Sequence, residues 1–179
     1  MADTSKLFFA LWPDDETRQT LARLNQSIAT KESKWVQPHN LHVTLVFLSY
    51  VDADAELLIK QSVADITAQP FTLTFDSLSY WIKPNVLCLT CLQPAPGAVM
   101  LAAALESAAA NCGIHTDTRP YTPHITLARH ARYLPDVKFE PIIWRAETFC
   151  LVESCSEPNG VCYKVIQQWP LLKTTVNPG

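Results

Sequence analysis

One phrase occurs twice in this chain and limits its fold more than any other feature. Pro38-His39-Asn40-Leu41-His42-Val43-Thr44-Leu45 and Pro120-Tyr121-Thr122-Pro123-His124-Ile125-Thr126-Leu127 both run from an extended, proline-containing approach into histidine, a β-branched residue, threonine and leucine. Each copy follows a segment with helical patterning. Two copies of one helix–strand unit predict packing about a pseudo-twofold axis, with the two central strands side by side. Alternate side chains of a strand share a face. His42 and Thr44 then project together with Val43 and Leu45 behind them, and His124 and Thr126 do the same against Ile125 and Leu127. If the strands are neighbours, two imidazoles and two hydroxyls meet in one cleft.

The rest of the pattern supplies the scaffold. Lys6 to Trp12 reads as an opening strand ended by Pro13, and Asp14 is placed to cap a helix over about 15–31, where Leu21, Leu24 and Ile28 recur at helical spacing. Residues 35–40 read as extended, 41–48 as a strand and about 53–69 as a second helix closed by Pro70. Phe71 to Trp81 and Asn85 to Leu92 read as two strands joined at Lys83-Pro84-Asn85. A third helix fits 97–111 with Gly113 as its stop, and 124–129 is the second motif strand. Ile142 to Cys155 and Val161 to Trp169 read as a hairpin turned at Asn159-Gly160. The order predicts an α+β fold: a bilobal, pseudo-twofold arrangement of two antiparallel-rich sheets with flanking helices and a central cleft, residues 1–179 forming a single two-lobed domain with one motif from each half.

Composition narrows the function classes. A net charge of −3 argues against gripping nucleic acid by bulk electrostatics, yet a local cluster suffices for one or two phosphates. Four glycines and the lack of G-x-G-x-x-G or G-K-[ST] argue against a Rossmann or P-loop nucleotide site. The first residues lack a signal peptide's basic patch and apolar core, and no apolar run approaches the roughly 20 residues of a membrane helix. A cytoplasmic protein is expected, its six cysteines reduced. Cys88 and Cys91 lie three apart in an apolar run and point to opposite strand faces, so packing explains them better than metal or redox chemistry.

The paired motif suits phosphate chemistry. Opening a cyclic phosphodiester with water needs a base for the water proton and an acid for the departing oxygen. Histidine serves both tasks because its reference pKa, about 6.5, lies near working pH. Two in one site, one neutral and one protonated, do both jobs; the symmetry of the copies leaves open which does which. Thr44 and Thr126 can donate to the non-bridging oxygens, where charge grows in the transition state. Arg119, Arg129 and Arg132 gather near the second copy with His115 and His130. Arg129 is the expected phosphate clamp, although it stands three residues after Thr126 and reaches the cleft only if the strand ends or bulges at Ala128. His39, His115 and His130 are expected at the surface. Trp35, Phe47 and Tyr121 flank the motifs and could stack on a base or simply pack. A zinc site on His42 and His124 would leave the paired threonines unexplained.

With these residues in hand, the chain resembles the two-histidine phosphoesterase superfamily, and within it the RNA 2′,3′-cyclic phosphodiesterases also called 2′-5′ RNA ligases. The resemblance covers nearly the whole chain: Leu7-Phe8-Phe9-Ala10-Leu11 with Pro13, Trp35-Val36, Asn40 to Leu48, and Pro123 to Arg129. It implies hydrolysis of a 2′,3′-cyclic phosphate on RNA ends or nucleotides to a 2′-phosphate, by a monomer without metal or other cofactor and away from membranes. It further implies that His42 is the proton donor and His124 the proton acceptor, with Thr44, Thr126 and Arg129 on the substrate. Ligation of tRNA halves at the same site, or binding of RNA ends without catalysis, are the alternatives. One departure stands out: Ser49-Tyr50 occupies the place where the family commonly has glycine and then an acidic residue.

Overall fold

The computed structural model describes residues 3–93, 95–117 and 119–172. The elements follow in the order β1 (Thr4–Leu11), α1 (Asp15–Ile28), β2 (Lys34–Trp35), β3 (Val43–Asp52), α2 (Ala53–Ala64), β4 (Phe71–Phe75), β5 (Ser77–Trp81), β6 (Val86–Thr90), α3 (Pro96–Asn111), β7 (His124–Arg129), β8 (Ile142–Ala146), β9 (Thr148–Glu157) and β10 (Gly160–Pro170), with a 3-10 turn at Pro38–Asn40. The strands β10-β9-β1-β3 form one half of the main sheet and β7-β6-β5 the other, and β2 lies beside β7. Every pairing is antiparallel, and the two halves meet at a single residue pair, Val43 with Ile125. β4 and β8 form a separate two-stranded sheet. This is the expected α+β class, with the motif strands β3 and β7 side by side.

The helices start and stop where their sequences direct. The Asp14 carboxylate accepts from the Thr17 amide at 2.8 Å and Asp52 caps α2 likewise through Ala55 at 2.9 Å. α1 buries Leu21, Leu24 and Ile28. At the end of α3, Gly113 turns left-handed (φ +74°), which lets the Ile114 amide reach the Ala109 carbonyl and the Gly113 amide that of Ala110.

Two long strand expectations are corrected. Phe71–Trp81 is not one strand: it breaks at Asp76, β4 pairing with β8 and β5 with β6. The Asp76 carboxylate accepts from the Leu92 amide at 2.8 Å, fixing the point where the chain crosses between sheets. Ile142–Cys155 likewise breaks at Glu147, where the residues packed into the main core change from Ile142, Trp144 and Ala146 to Phe149 and Leu151, Cys150 and Val152 joining a second buried cluster with Phe8 and Ala10. That one-residue phase slip cannot occur in an uninterrupted strand. α2 ends at Ala64, short of the expected 69, because Asp65 and the β-branched Ile66 and Thr67 favour leaving the helix.

The departure at Ser49 has a structural meaning. β3 carries an extra residue against β1 at Leu48, and just beyond it Ser49 is left-handed, with φ +62°. Glycine takes this conformation freely, whereas an L side chain loses about 1–2 kcal/mol. Part of that returns through glycine's larger unfolded-state entropy. Ser49→Gly is therefore expected to raise the unfolding free energy by about 0.5–1 kcal/mol. A lowered urea midpoint would refute the assignment of strain.

Candidate active site

The single bridge between the halves sets the geometry of the site. Val43 stands opposite Ile125, and both are completely buried. One residue along in each direction, the antiparallel register places His42 across from Thr126 and Thr44 across from His124. Alternation turns all four away from the buried pair, so the two imidazoles and two hydroxyls share one side of the bridge.

Both rings are held in the same way. His42 Nδ1 donates to the Asn40 carbonyl at 2.6 Å, and His124 Nδ1 donates to the Thr122 carbonyl at 2.8 Å. A carbonyl only accepts, so each Nδ1 carries a proton and each Nε2 is the nitrogen left to exchange one. Thr44 Oγ1 lies 3.0 Å from His42 Nε2 and donates to it while the ring is neutral.

Their surroundings differ. His42 is boxed by Phe8 (centroids 5.2 Å apart), Trp12 stacked at 5.4 Å and the edge of Tyr163 at 5.0 Å. Arg18 lies over Trp12 and donates to the carbonyls of Pro13 and Pro38, which clamps the box shut. Burial pushes His42 down to about 4, and the charges of His124 and Arg129 oppose its protonation further, against the favourable bond to Asn40. His124 meets Trp81 edge-on at 4.6 Å and its pKa is also lowered by burial.

Sequence reasoning missed Asn40. Its buried side chain donates to the Val161 carbonyl at 2.8 Å and accepts from the Tyr163 amide at 3.2 Å, while its own carbonyl holds His42. One residue thus ties β10, and Tyr163 with it, to the ring that Tyr163 covers. The partners lie more than 120 positions away, so no local signal announces the role.

Arg129 shares the site face because β7 does bulge. Against β6, Thr126 pairs with Cys88 and Ala128 with Leu87, leaving Leu127 as the extra residue. Leu127 and Ala128 are therefore both buried, and alternation resumes with Arg129 in phase with Thr126. The first copy repeats the device: Thr44 pairs with Ala10 and Val46 with Phe9, so Leu45 is extra and Phe47 takes the place that Arg129 has in the second. Cys88 lies under Thr126, Sγ 3.9 Å from its hydroxyl, and burial pushes its thiol up to about 11.

Of the other basic residues, Arg119 borders the cleft beside Thr44 and His124, and the rest lie apart from it. Arg119 is exposed and paired with Asp117, while His130 and Arg132 border a separate hollow with Glu32, Tyr80 and Asn85. His39, His115 and His130 are all exposed. Trp35 packs on the core and donates to the Thr30 carbonyl; Phe47 and Tyr121 line a cleft beside Thr44 and His124. Among the described residues no three His, Cys, Asp or Glu side chains converge as metal ligands. No described helix is long and apolar enough to cross a membrane.

The box around His42 has a measurable consequence. An unfolded chain protonates this ring near 6.5, whereas the folded site resists until about 4. Between those values the unfolded state binds more protons, so stability falls as pH falls through the window. At about 1.4 kcal/mol per unit, the loss amounts to about 3 kcal/mol. His42→Gln is expected to remove that slope from urea titrations run between pH 7 and 4; an unchanged slope assigns it elsewhere. For Asn40→Ala, loss of two buried hydrogen bonds predicts about 2–3 kcal/mol of destabilisation. The same substitution should move the His42 pKa, followed by NMR, back toward 6.5; a ring still titrating near 4 would show that Asn40 does not position it.

Comparison with known proteins places the chain. The family model described as the 2′-5′ RNA ligase superfamily matches residues 13–153. A protein of Escherichia coli named RNA 2′,3′-cyclic phosphodiesterase is 31% identical over 174 residues, 96% of this chain and 99% of that one. A Thermus thermophilus protein of the same name is 28% identical, over 93% of this chain and 90% of its own length. The crystal structure of E. coli LigT complexed with 3′-AMP superposes with a TM-score of 0.86 at 31% identity, covering 96% of this chain and all of that one. With the family model matched over residues 13–153, a matching fold and a matching length, the chain belongs to the 2′-5′ RNA ligase superfamily.

Proposed function

We propose that this protein hydrolyses a 2′,3′-cyclic phosphodiester at the end of RNA or of a nucleotide, without a metal, leaving a 2′-phosphomonoester and a 3′ hydroxyl. The observation that carries the reading is the pair of Nδ1-anchored imidazoles, one from each copy, on the same side of the Val43–Ile125 bridge. The name shared by the E. coli and Thermus relatives supports the substrate class.

In this reading His124 Nε2 takes a proton from water as the water oxygen bonds to phosphorus, in line with the departing 3′ oxygen. His42 Nε2 gives its proton to that oxygen as the P–O3′ bond breaks. The pair keeps one exchangeable proton throughout: His42 gives its own to the 3′ oxygen, His124 gains one from water, and exchange with solvent resets both. Thr44 turns from His42 to the phosphate, and Thr126 and Arg129 hold the remaining oxygen charge. His42 is neutral at pH 7 in the empty site, so the donor role requires the bound phosphate anion to raise its pKa. Burial then becomes useful, because a charge–charge contact is stronger in a dry box than in water. A ribose 5′ hydroxyl in place of water would give a 2′,5′ linkage by the same proton transfers. The family's description favours keeping this ligation as the second reading.

Purified protein is expected to open nucleoside 2′,3′-cyclic phosphates at a rate unaffected by EDTA. His42→Ala and His124→Ala should each lower kcat by about 10²–10⁴ with the circular dichroism spectrum retained. Wild-type rates in either variant would sink the mechanism. Incubation with RNA carrying a 5′ hydroxyl separates the two readings by whether a 2′,5′-linked product accumulates.

A further inference from the structure

The pseudo-twofold is broken beside the site, in two places that coincide. The first is a side chain: the position that carries Arg129 in one half carries Phe47 in the other, and Phe47 is 58% exposed. The second is a missing strand. On the Arg129 side, β2 runs along β7, pairing Lys34 with Arg129 and Trp35 with Ala128. Counting back from each motif histidine, the counterpart of residues 34–35 is 116–117. That segment forms no strand beside Val46 and Phe47. A cleft of about 250 Å³ remains in the wedge, continuous with Thr44 and His124.

The lining of this cleft is specific. Phe47 and Trp81 supply aromatic surface next to the histidines, and Tyr121 adds a third ring. Ala102, on α3, is small enough to leave the space open. One turn further along α3, Glu106 also lines the cleft, half-buried and, among the described residues, in no ion pair. Arg119, the cation of the same lining, is already engaged by Asp117. A carboxylate in a cleft that aromatic rings also line accepts hydrogen bonds and donates none.

Resting on the reading of the site as a cyclic-phosphate hydrolase, we propose that this cleft takes the terminal base and that Glu106 selects guanine. Aromatic walls stack on any base and cannot discriminate. A carboxylate can, since bases differ in the donors on their edges. Guanine presents two adjacent donors, N1–H and the N2 amino group, which match the two carboxylate oxygens. Adenine and cytosine offer one amino group beside an acceptor that the carboxylate repels. Uracil offers one N–H between two carbonyls.

The test compares kcat/KM for the 2′,3′-cyclic phosphates of guanosine and uridine, and in parallel the Kd of 2′-GMP and 2′-UMP by calorimetry. Wild type is expected to favour the guanosine compounds by about tenfold or more, as a good bidentate pair does. Glu106→Gln should lower the guanosine values about tenfold and leave the uridine values within about threefold. Phe47→Ala should weaken both nucleotides alike. Equal treatment of the two bases by wild type, or a preference that survives Glu106→Gln, overturns the proposal. If neither cyclic nucleotide is turned over but the binding preference is present and lost in Glu106→Gln, the base subsite stands and the hydrolytic reading falls.

Discussion

The site depends on one residue pair. Val43 and Ile125 join two halves of a sheet that otherwise do not pair, apart from the short β2 beside β7. The buried valine and isoleucine fix the register, and register fixes chemistry: a slip of one position would turn both histidines into the core. Because the strands diverge on either side of this bridge, the surface around it is concave. A longer ladder would have given a flat sheet with the same four side chains spread along it. The shortness of the contact is what makes a cleft.

Around that bridge the two copies share their backbone and differ in their environment. Each has a histidine held by the carbonyl two residues earlier, and each has a one-residue bulge at the leucine after threonine. The bulge matters because it returns the third residue after threonine to the site face. Asymmetry enters through neighbours from elsewhere in the chain: Phe8, Trp12 and Tyr163 close over His42, while His124 has Trp81 alongside. Two rings with one covalent chemistry therefore differ in how readily they take a proton. Acid–base division of labour requires such a difference.

Much of this was legible in the residues, and the illegible parts share a cause. The repeated His-β-branched-Thr-Leu phrase reports its own geometry, since strand alternation needs no tertiary information. The cap at Asp14 and the stop at Gly113 are also local. The break at Glu147 is a phase slip in the main-core face, from Ile142, Trp144 and Ala146 to Phe149 and Leu151, and burial of Cys150 and Val152 on the other face hid it. The break at Asp76 depends on the Leu92 amide, and the role of Asn40 depends on Val161 and Tyr163. A sequence read in windows cannot see partners so far along the chain. Ser49 sits between these cases: its departure from the family pattern was visible, and the positive φ that gives it meaning was not.

The bulges also explain how a repeated unit can acquire two jobs without losing its symmetry. With strict alternation, Arg129 and Phe47 would face the core, where a guanidinium could not stay unpaired. One extra residue in each strand turns both toward the cleft, at symmetric positions on either side of the paired histidines. Substitution at those positions changes the substrate surface and leaves the Val43–Ile125 register untouched. A cation on one side and an aromatic ring on the other give the site face a polarity. A nucleotide, with phosphate at one end and a base at the other, has the matching polarity. On the proposed reading, the fold holds the reacting atoms by what its halves have in common and orients the substrate by what they do not.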